Sequence, residues 1–302
     1  MPLDSTSLQD PISWPALPLE AWLDTCQTLH MWTQIVGKIR LMLSPKLNHW
    51  WHTTLYVNAR GLTTSPIPYG GGVFEIQLDF IDHQLEILTS EGERESFALA
   101  PEAVAAFYSR IMAALRALSI DVQIDTKPQE VPNPIPFEQD YQHASYDAEA
   151  AHRWWRATLS SAIVMNEFRS RFIGKCSPVH FFWGSFDLAC TRFSGRPAPP
   201  RKGIISSEGY SHEEISAGFW PGGGAIKGAA YYAYAYPQPP GLPDEPASPV
   251  AAFWSKELSE YILMYDDVRR AESPRAAILE FLESTYAAGA KLAKWDRSAL
   301  EH

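Results

Sequence analysis

Val73-Phe74-Glu75-Ile76-Gln77-Leu78-Asp79-Phe80-Ile81 sets apolar Phe74, Ile76, Leu78 and Phe80 against polar Glu75, Gln77 and Asp79. Side chains alternate between the faces of a strand, so this period of two predicts a β-strand with one buried side. A turn at Asp82-His83 leads into Gln84-Leu85-Glu86-Ile87-Leu88, and residues 93–99 read as another strand. Strands joined by such short turns pair antiparallel.

On either side the period becomes helical. Residues 19–43 carry Trp22, Cys26, Leu29, Val36 and Leu43 near one face. After Pro101, a residue suited to a first helical turn, Val104, Phe107, Tyr108, Ile111, Met112 and Leu115 recur at helical spacing. The second half repeats the order. A helix over 147–172 carries Trp155, Leu159 and Ile163, with Met165, Phe168 and Phe172 on an adjoining face. Strands follow near 179–191, 229–236 and 260–266. A last helix opens with Ser273 as N-cap and Pro274 behind it, and its stripe is Ile278, Phe281, Leu282, Tyr286, Gly289 and Leu292. Residues 120–125 are expected as a short strand, and the prolines at 128, 132, 134 and 136 as an extended connector.

The halves also share detail. His49-Trp50-Trp51-His52-Thr53-Thr54-Leu55-Tyr56-Val57 can be set over His180-Phe181-Phe182-Trp183-Gly184-Ser185-Phe186-Asp187-Leu188, and the same offset lays Pro66 on Pro197 and Pro68 on Pro199. Each half then has a glycine run entering a strand, Gly70-Gly71-Gly72 and Gly222-Gly223-Gly224, with extra residues before the second. The expected architecture is α+β: two diverged copies of a helix–antiparallel sheet–helix unit related by a pseudo-two-fold axis. The organisation would be a flexible N-terminus (1–13), a first repeat (14–126), a Pro-rich connector (127–145), a second repeat (146–296) and a tail (297–302) that reads as an expression-tag remnant.

Composition narrows the function classes. With 302 residues, 46% hydrophobic and 20% charged, the chain can bury a sizeable core without covalent staples. A formal net charge of -10 speaks against nucleic-acid or anionic-membrane partners, which need a basic surface. Cys26, Cys176 and Cys190 have no motif spacing, so neither a disulfide framework nor a thiolate zinc site is expected. No secretory signal and no membrane-spanning stretch is read, which gives a cytoplasmic expectation.

Several strings resemble one known family: Trp14-Pro15-Ala16-Leu17-Pro18, Asn48-His49-Trp50-Trp51-His52 and Gly61-Leu62-Thr63-Thr64-Ser65-Pro66-Ile67-Pro68-Tyr69 in the first half. In the second half they run from His180-Phe181-Phe182-Trp183 through Arg192-Phe193-Ser194-Gly195-Arg196 to Gly218-Phe219-Trp220-Pro221-Gly222. The chain thereby resembles an uncharacterised, mainly bacterial family, domain of unknown function 5996, from Trp14 to about Asp296. The resemblance implies no established activity and transfers no catalytic residue.

Candidate site residues come from the leading strand of each copy. Alternation puts His49, Trp51, Thr53 and Leu55 on one side and His52, Tyr56, Asn58 and Arg60 on the other. In the second copy Trp183, Ser185 and Asp187 share the polar side. Such residues can line a cleft or face solvent. The stretch from Ser207 to Glu214 lies in a segment of weak periodicity, expected as a lid loop or a short solvated helix after Ser211. There His212 with Glu213 or Glu214 could supply acid–base or metal groups. Candidate catalytic residues are thus His52, Asp187, His212 and Glu213. Candidate ligand-binding residues are Tyr56, Asn58, Arg60, Trp183 and Ser185, with Trp220 and Tyr234, the latter in the alternating stripe Tyr232, Tyr234, Tyr236. His49 and His52 would point to opposite strand faces, a poor chelating pair, so no metal site is expected. The glycine runs fit no phosphate fingerprint and Ser185 lacks a nucleophile-elbow context, so no cofactor is assigned. The residues point first to a small-molecule binding protein or enzyme, with its site at the polar sheet faces or the seam between repeats. A hydrolytic or metal-assisted enzyme using His212, Glu213 and His52 is the second reading. A non-catalytic scaffold is the third.

Overall fold

The alternation at Val73 is realised as a strand of an antiparallel sheet. The computed structural model describes residues 13–302. The expected flexible N-terminus, apart from Ser13, lies outside the described residues. The chain divides into two compact units, each of which collects separate segments.

The N-terminal unit comprises Glu20–Trp155 and His180–Asp187. It holds α1 (Leu23–Leu43), β1 (Tyr56–Val57), β2 (Gly61–Thr63), β3 (Ile67–Tyr69), β4 (Gly72–Asp79), β5 (Gln84–Thr89), β6 (Arg94–Ala98) and α2 (Val104–Ala117). The strands lie in the order β1-β2-β4-β5-β6, with β3 also on β4, and every pairing is antiparallel. Register puts Ile76 opposite Ile87 and Leu78 opposite Leu85, all fully or almost fully buried, while Glu75 and Gln77 take the other face. The pattern thus reads one apolar and one polar side, as alternation requires. The centre of the core is aromatic. Trp32 of α1 stacks on Phe107 of α2 with ring centroids 4.6 Å apart, and Phe97 and Tyr146 close around them.

Two sequence expectations are corrected here. The stretch from His49 is no strand. Residues Asn48–Thr53 form a 3-10 turn with left-handed backbone at His49 (φ 54°) and Trp50 (φ 60°), and pairing starts only at Leu55. Its aromatic and β-branched composition mimics a strand, but side chains take the place of a ladder. Arg40 donates to the His52 carbonyl (2.9 Å), the Trp183 indole to that of Thr53 (2.7 Å), and the Thr53 hydroxyl to that of Trp50. Residues 120–125 likewise run without strand pairing. The amide of Asp121 donates to the Tyr69 hydroxyl, and the Asp125 carbonyl accepts from the Lys38 ammonium. The Pro-rich stretch packs against α1: Gln34 exchanges two hydrogen bonds with the backbone of Gln129, and Phe137 is fully buried.

The hairpin from His180 completes this unit. In β7 (His180–Phe182), Phe181 exchanges both backbone hydrogen bonds with Leu55. Trp183 then lies flat on α1 at Gly37, where a β-carbon would sit 2.1 Å from the indole, so only glycine admits the ring.

Among the described residues the C-terminal unit comprises 13–19, Arg156–Val179 and Leu188–His302. It takes up α3 (Ala148–Ser170) from Arg156 onward. Then come β8 (Asp187–Pro197), α4 (Ile204–Gly209), β9 (His212–Trp220), β10 (Ala230–Tyr236), β11 (Phe253–Ser255), β12 (Glu260–Met264), α5 (Tyr265–Arg270), α6 (Pro274–Leu292) and α7 (Arg297–Leu300). The sheet runs β11-β12-β10-β9-β8, again antiparallel. Its helix-side face is apolar: Ile215, Ala217, Phe219, Tyr231 and Ala233 are buried, and the Tyr231 hydroxyl meets Ser161 of α3 at 2.7 Å. On the same face Arg192 is 1% exposed, its guanidinium held between the rings of Phe168 (3.5 Å) and Tyr286 (4.3 Å) and bonded to the Phe168 carbonyl. As expected, Ser273 caps α6, accepting from the Ala276 amide.

Both sheets are antiparallel and accompanied by helices, an α+β arrangement consistent with a duplicated unit. The detailed alignment fails in two places. His180 opens a strand where His49 sits in a 3-10 turn, and Gly70–Gly72 lead directly into β4 whereas Gly222–Gly224 stop short of β10, which starts only at Ala230. The segment from 207 to 214 is neither lid loop nor helix throughout. α4 ends at Gly209, and His212 begins β9, a strand paired on both sides. The residues expected as a tag remnant pack on the core, where Glu301 accepts from the Tyr286 hydroxyl (2.8 Å) and Phe172 bridges to Glu301.

Candidate functional site

The candidates fall into two groups, one per unit. In the N-terminal unit they make the following contacts. His52 is buried, stacks on Trp50 (5.5 Å) and accepts the Leu47 amide at Nδ1, which leaves the ring proton on Nε2. Tyr56 lies under the Arg40 guanidinium at 5.3 Å. The Asn58 side-chain oxygen accepts from the amides of Arg60 and Gly61 and so shapes the β1–β2 turn. Arg60, 42% exposed, bridges the carboxylates of Asp79 and Asp82 at the surface. Trp183 is buried on Gly37, and the Ser185 hydroxyl donates to the buried Asp187. Polar character is therefore spent on turns, surface ion pairs and backbone carbonyls.

In the C-terminal unit the register of β8, β9 and β10 builds a different surface. Tyr236 pairs with Glu214 and Glu214 with Phe193; Tyr234 with Ser216 and Ser216 with Thr191; Tyr232 with Gly218 and Gly218 with Ala189. These residues share the face turned away from α6. The tyrosines lean across β9. Tyr232 covers Gly218, where a β-carbon would meet its hydroxyl at 2.3 Å, and donates to the Leu188 carbonyl. Tyr232 and Tyr234 stack nearly parallel, 6.2 Å apart and tilted by 10°. Ser216 and Thr191 hydroxyls meet at 2.9 Å beneath them. Tyr210, just after α4, adds a third wall: its hydroxyl is 3.3 Å from that of Tyr234 and its ring 5.1 Å from that of Tyr236. The Arg201 guanidinium lies over both Tyr210 (3.9 Å) and Tyr236 (4.3 Å). Trp220, at the end of β9, packs with Tyr234 against a cluster of Ile226, Ala230, Tyr232 and Ile262, so it adjoins this tyrosine wall through Tyr232.

Glu214 sits at the base of this aromatic wall, 6% exposed. Among the described residues no hydrogen bond or ion pair holds its carboxyl group. Burial raises its pKa from 4.5 to about 8, against the weaker pull of the Arg201 and Lys175 charges. Near neutrality it is a carboxylic acid, able to donate a proton or to ionise beside an incoming positive group. Lys175, whose ammonium lies 4.7 Å over the Phe193 ring, has its own pKa lowered by burial.

His212 and Glu213 do not converge. As strand neighbours they face opposite sides, and Glu213 is engaged by Ser194 (2.9 Å) and Arg196 (2.8 Å). Glu214, two residues from His212, is the carboxylate on His212's face. The sequence reading chose Glu213 over Glu214, and the pairing with β8 and β10 turns the choice toward Glu214. Arg201, Tyr210, Lys175 and Ser216 were not singled out, and Thr191 was placed only on a polar strand face. The alternation of Ile215, Ala217 and Phe219 with Glu214, Ser216 and Gly218 is the signal that could have found this strand. Among the described residues no group of three or more His, Cys, Asp or Glu is placed to hold a metal ion, and no helix is long and apolar enough to cross a membrane.

No curated protein and no solved structure matches the chain. A family model described as a family of unknown function (DUF5996) matches residues 14–302. That match takes in both sheets, the aromatic wall and Glu214, and the chain belongs to this family.

Proposed function

We propose that the protein binds a small organic cation on the tyrosine face of the C-terminal sheet, with Glu214 as its counter-ion. The observation that carries this reading is a carboxyl group that is almost fully buried, unpartnered and walled by tyrosines. A buried ionisable group without a partner is costly, and such groups concentrate at functional sites. An ammonium or guanidinium beside Glu214 favours the carboxylate and turns that cost into an ion pair. Tyrosine ring faces attract cations, and Arg201 already lies over two of these rings. The Ser216 and Thr191 hydroxyls offer directional partners. The hydrolytic reading is weaker, because Glu213 is engaged elsewhere and His52 belongs to the other unit.

Calorimetric titration with primary amines, guanidines and their neutral isosteres tests the proposal. At pH 7 a group with pKa near 8 is about nine-tenths protonated. Binding of a cation should therefore release close to one proton, read from the dependence of the heat on buffer ionisation. Glu214→Gln should weaken cation binding at least about tenfold, a loss of roughly 1.4 kcal/mol. Equal binding of neutral isosteres, or an unaffected Gln variant, would overturn the reading.

A further inference from the structure

Cys176 and Cys190 are free thiols whose sulfurs lie 3.8 Å apart in the C-terminal unit. We propose that they form a peroxide-reactive dithiol site, with Cys176 as the attacking sulfur and Cys190 as the resolving one. This inference is independent of the cation site.

The placement comes from backbone pairing. Cys176 bridges antiparallel to Arg192, Ser177 and Phe193 donate amides to Thr191 and Lys175, and Cys190 lies two residues before Arg192 on the same face. The two cysteines are thus diagonal neighbours on adjacent chains, pointing the same way. Their exposures differ as the two roles require. Cys176 is partly exposed and can meet a small oxidant, whereas Cys190 is fully buried and can meet only Cys176. The surroundings favour a thiolate on Cys176. Its pKa is held below the ordinary thiol value, first by the hydrogen bond from Cys190, then by the Arg192 and Arg169 guanidiniums, while burial opposes them. The Cys190 thiol is correspondingly raised.

The chemistry balances with one hydroperoxide as oxidant. The Cys176 thiolate attacks the terminal peroxide oxygen, the O–O bond breaks, and the leaving alkoxide takes a proton to become an alcohol; hydrogen peroxide gives water. Cys176 is then a sulfenic acid. The Cys190 sulfur, losing its proton, attacks the Cys176 sulfur and displaces hydroxide, which takes that proton and leaves as water. Two thiols and one hydroperoxide yield one disulfide, one alcohol and one water. The thiols lose two electrons and the peroxide gains them. Bond formation needs the sulfurs to close to about 2.05 Å, a side-chain movement on adjacent strands.

The test treats the wild-type protein with stoichiometric hydrogen peroxide and counts thiols after denaturation. Three thiols should fall to one, with the loss of two hydrogens in mass and a disulfide-linked peptide pair, separable by reductant, joining Cys176 to Cys190. Reductant should restore all three. Cys26, buried in α1 with its pKa raised to about 12, is the expected survivor. Cys190→Ala should instead leave Cys176 as a sulfenic acid trapped by a dimedone-type reagent. Three thiols remaining, or Cys176 passing to sulfinic acid in the wild type without a 176–190 crosslink, overturns the proposal.

Discussion

Replacing Glu214 by glutamine is expected to stabilise the protein, and to do so increasingly as the solution becomes alkaline. Glutamine keeps the shape and the hydrogen-bonding capacity of the neutral acid but cannot ionise. The folded protein holds the Glu214 pKa at about 8, against 4.5 for a solvated glutamate. A raised carboxyl pKa means the unfolded chain ionises first, so folding loses stability as pH rises from 4.5 and the loss saturates above 8. The difference between the two titrations amounts to about 1 kcal/mol at pH 5, about 3 at pH 7 and about 5 at pH 9. These figures convert directly into the expected advantage of Glu214→Gln. Urea denaturation of wild type and variant at the three pH values, followed by circular dichroism, reads it out. A stability difference that stays flat with pH, or a variant less stable at pH 9, would refute the claim that Glu214 is buried without a partner.

Two further substitutions probe the packing. Gly37→Ala should destabilise by about 1–3 kcal/mol despite the better helix propensity of alanine, because its methyl lands on the Trp183 indole, and a smaller residue at 183 should relieve most of that loss. Arg192→Ala should cost on the order of 3 kcal/mol in thermal or urea unfolding, whereas Arg192→Met, which keeps the apolar stem between Phe168 and Tyr286, should cost clearly less; equal effects would mean that the charge, not the ring packing, is what the core uses there.

Where side-chain period alone decided conformation, the sequence was legible. The β4–β5 hairpin follows from Phe74, Ile76, Leu78, Leu85 and Ile87, and the start of α6 from Ser273 and Pro274. The His49–Thr53 stretch was not legible, because its backbone is held by Arg40 and Trp183, side chains distant in sequence. The candidate site shows the same division. Tyr234 was visible as part of a tyrosine stripe, but the stripe gains its meaning from Glu214 and Arg201. Their place beside it depends on strand register and on the segment around α4, where glycine, proline and serine mask the pattern. Arg60 and Asp187 were conspicuous as charges and turned out to be satisfied by near neighbours.

The partition of the chain has a consequence for how the protein is made. The N-terminal unit needs the segment His180–Asp187, which supplies the Phe181 ladder to Leu55 and the indole that fills the Gly37 slot. A ribosome that has released only the first 155 residues has released a unit with an empty slot and an unpaired Leu55. Completion must wait until α3 and the β7 hairpin have also emerged. In the opposite direction, residues 13–19 belong to the C-terminal unit, where the Tyr265 hydroxyl bonds to the Pro15 carbonyl. The first described residues to be synthesised are therefore among those that wait longest for their partners. Domains that finish in order of synthesis shelter their apolar surface early, and this chain, with its two units interleaved in sequence, forgoes that protection until residues as late as Tyr265 have emerged.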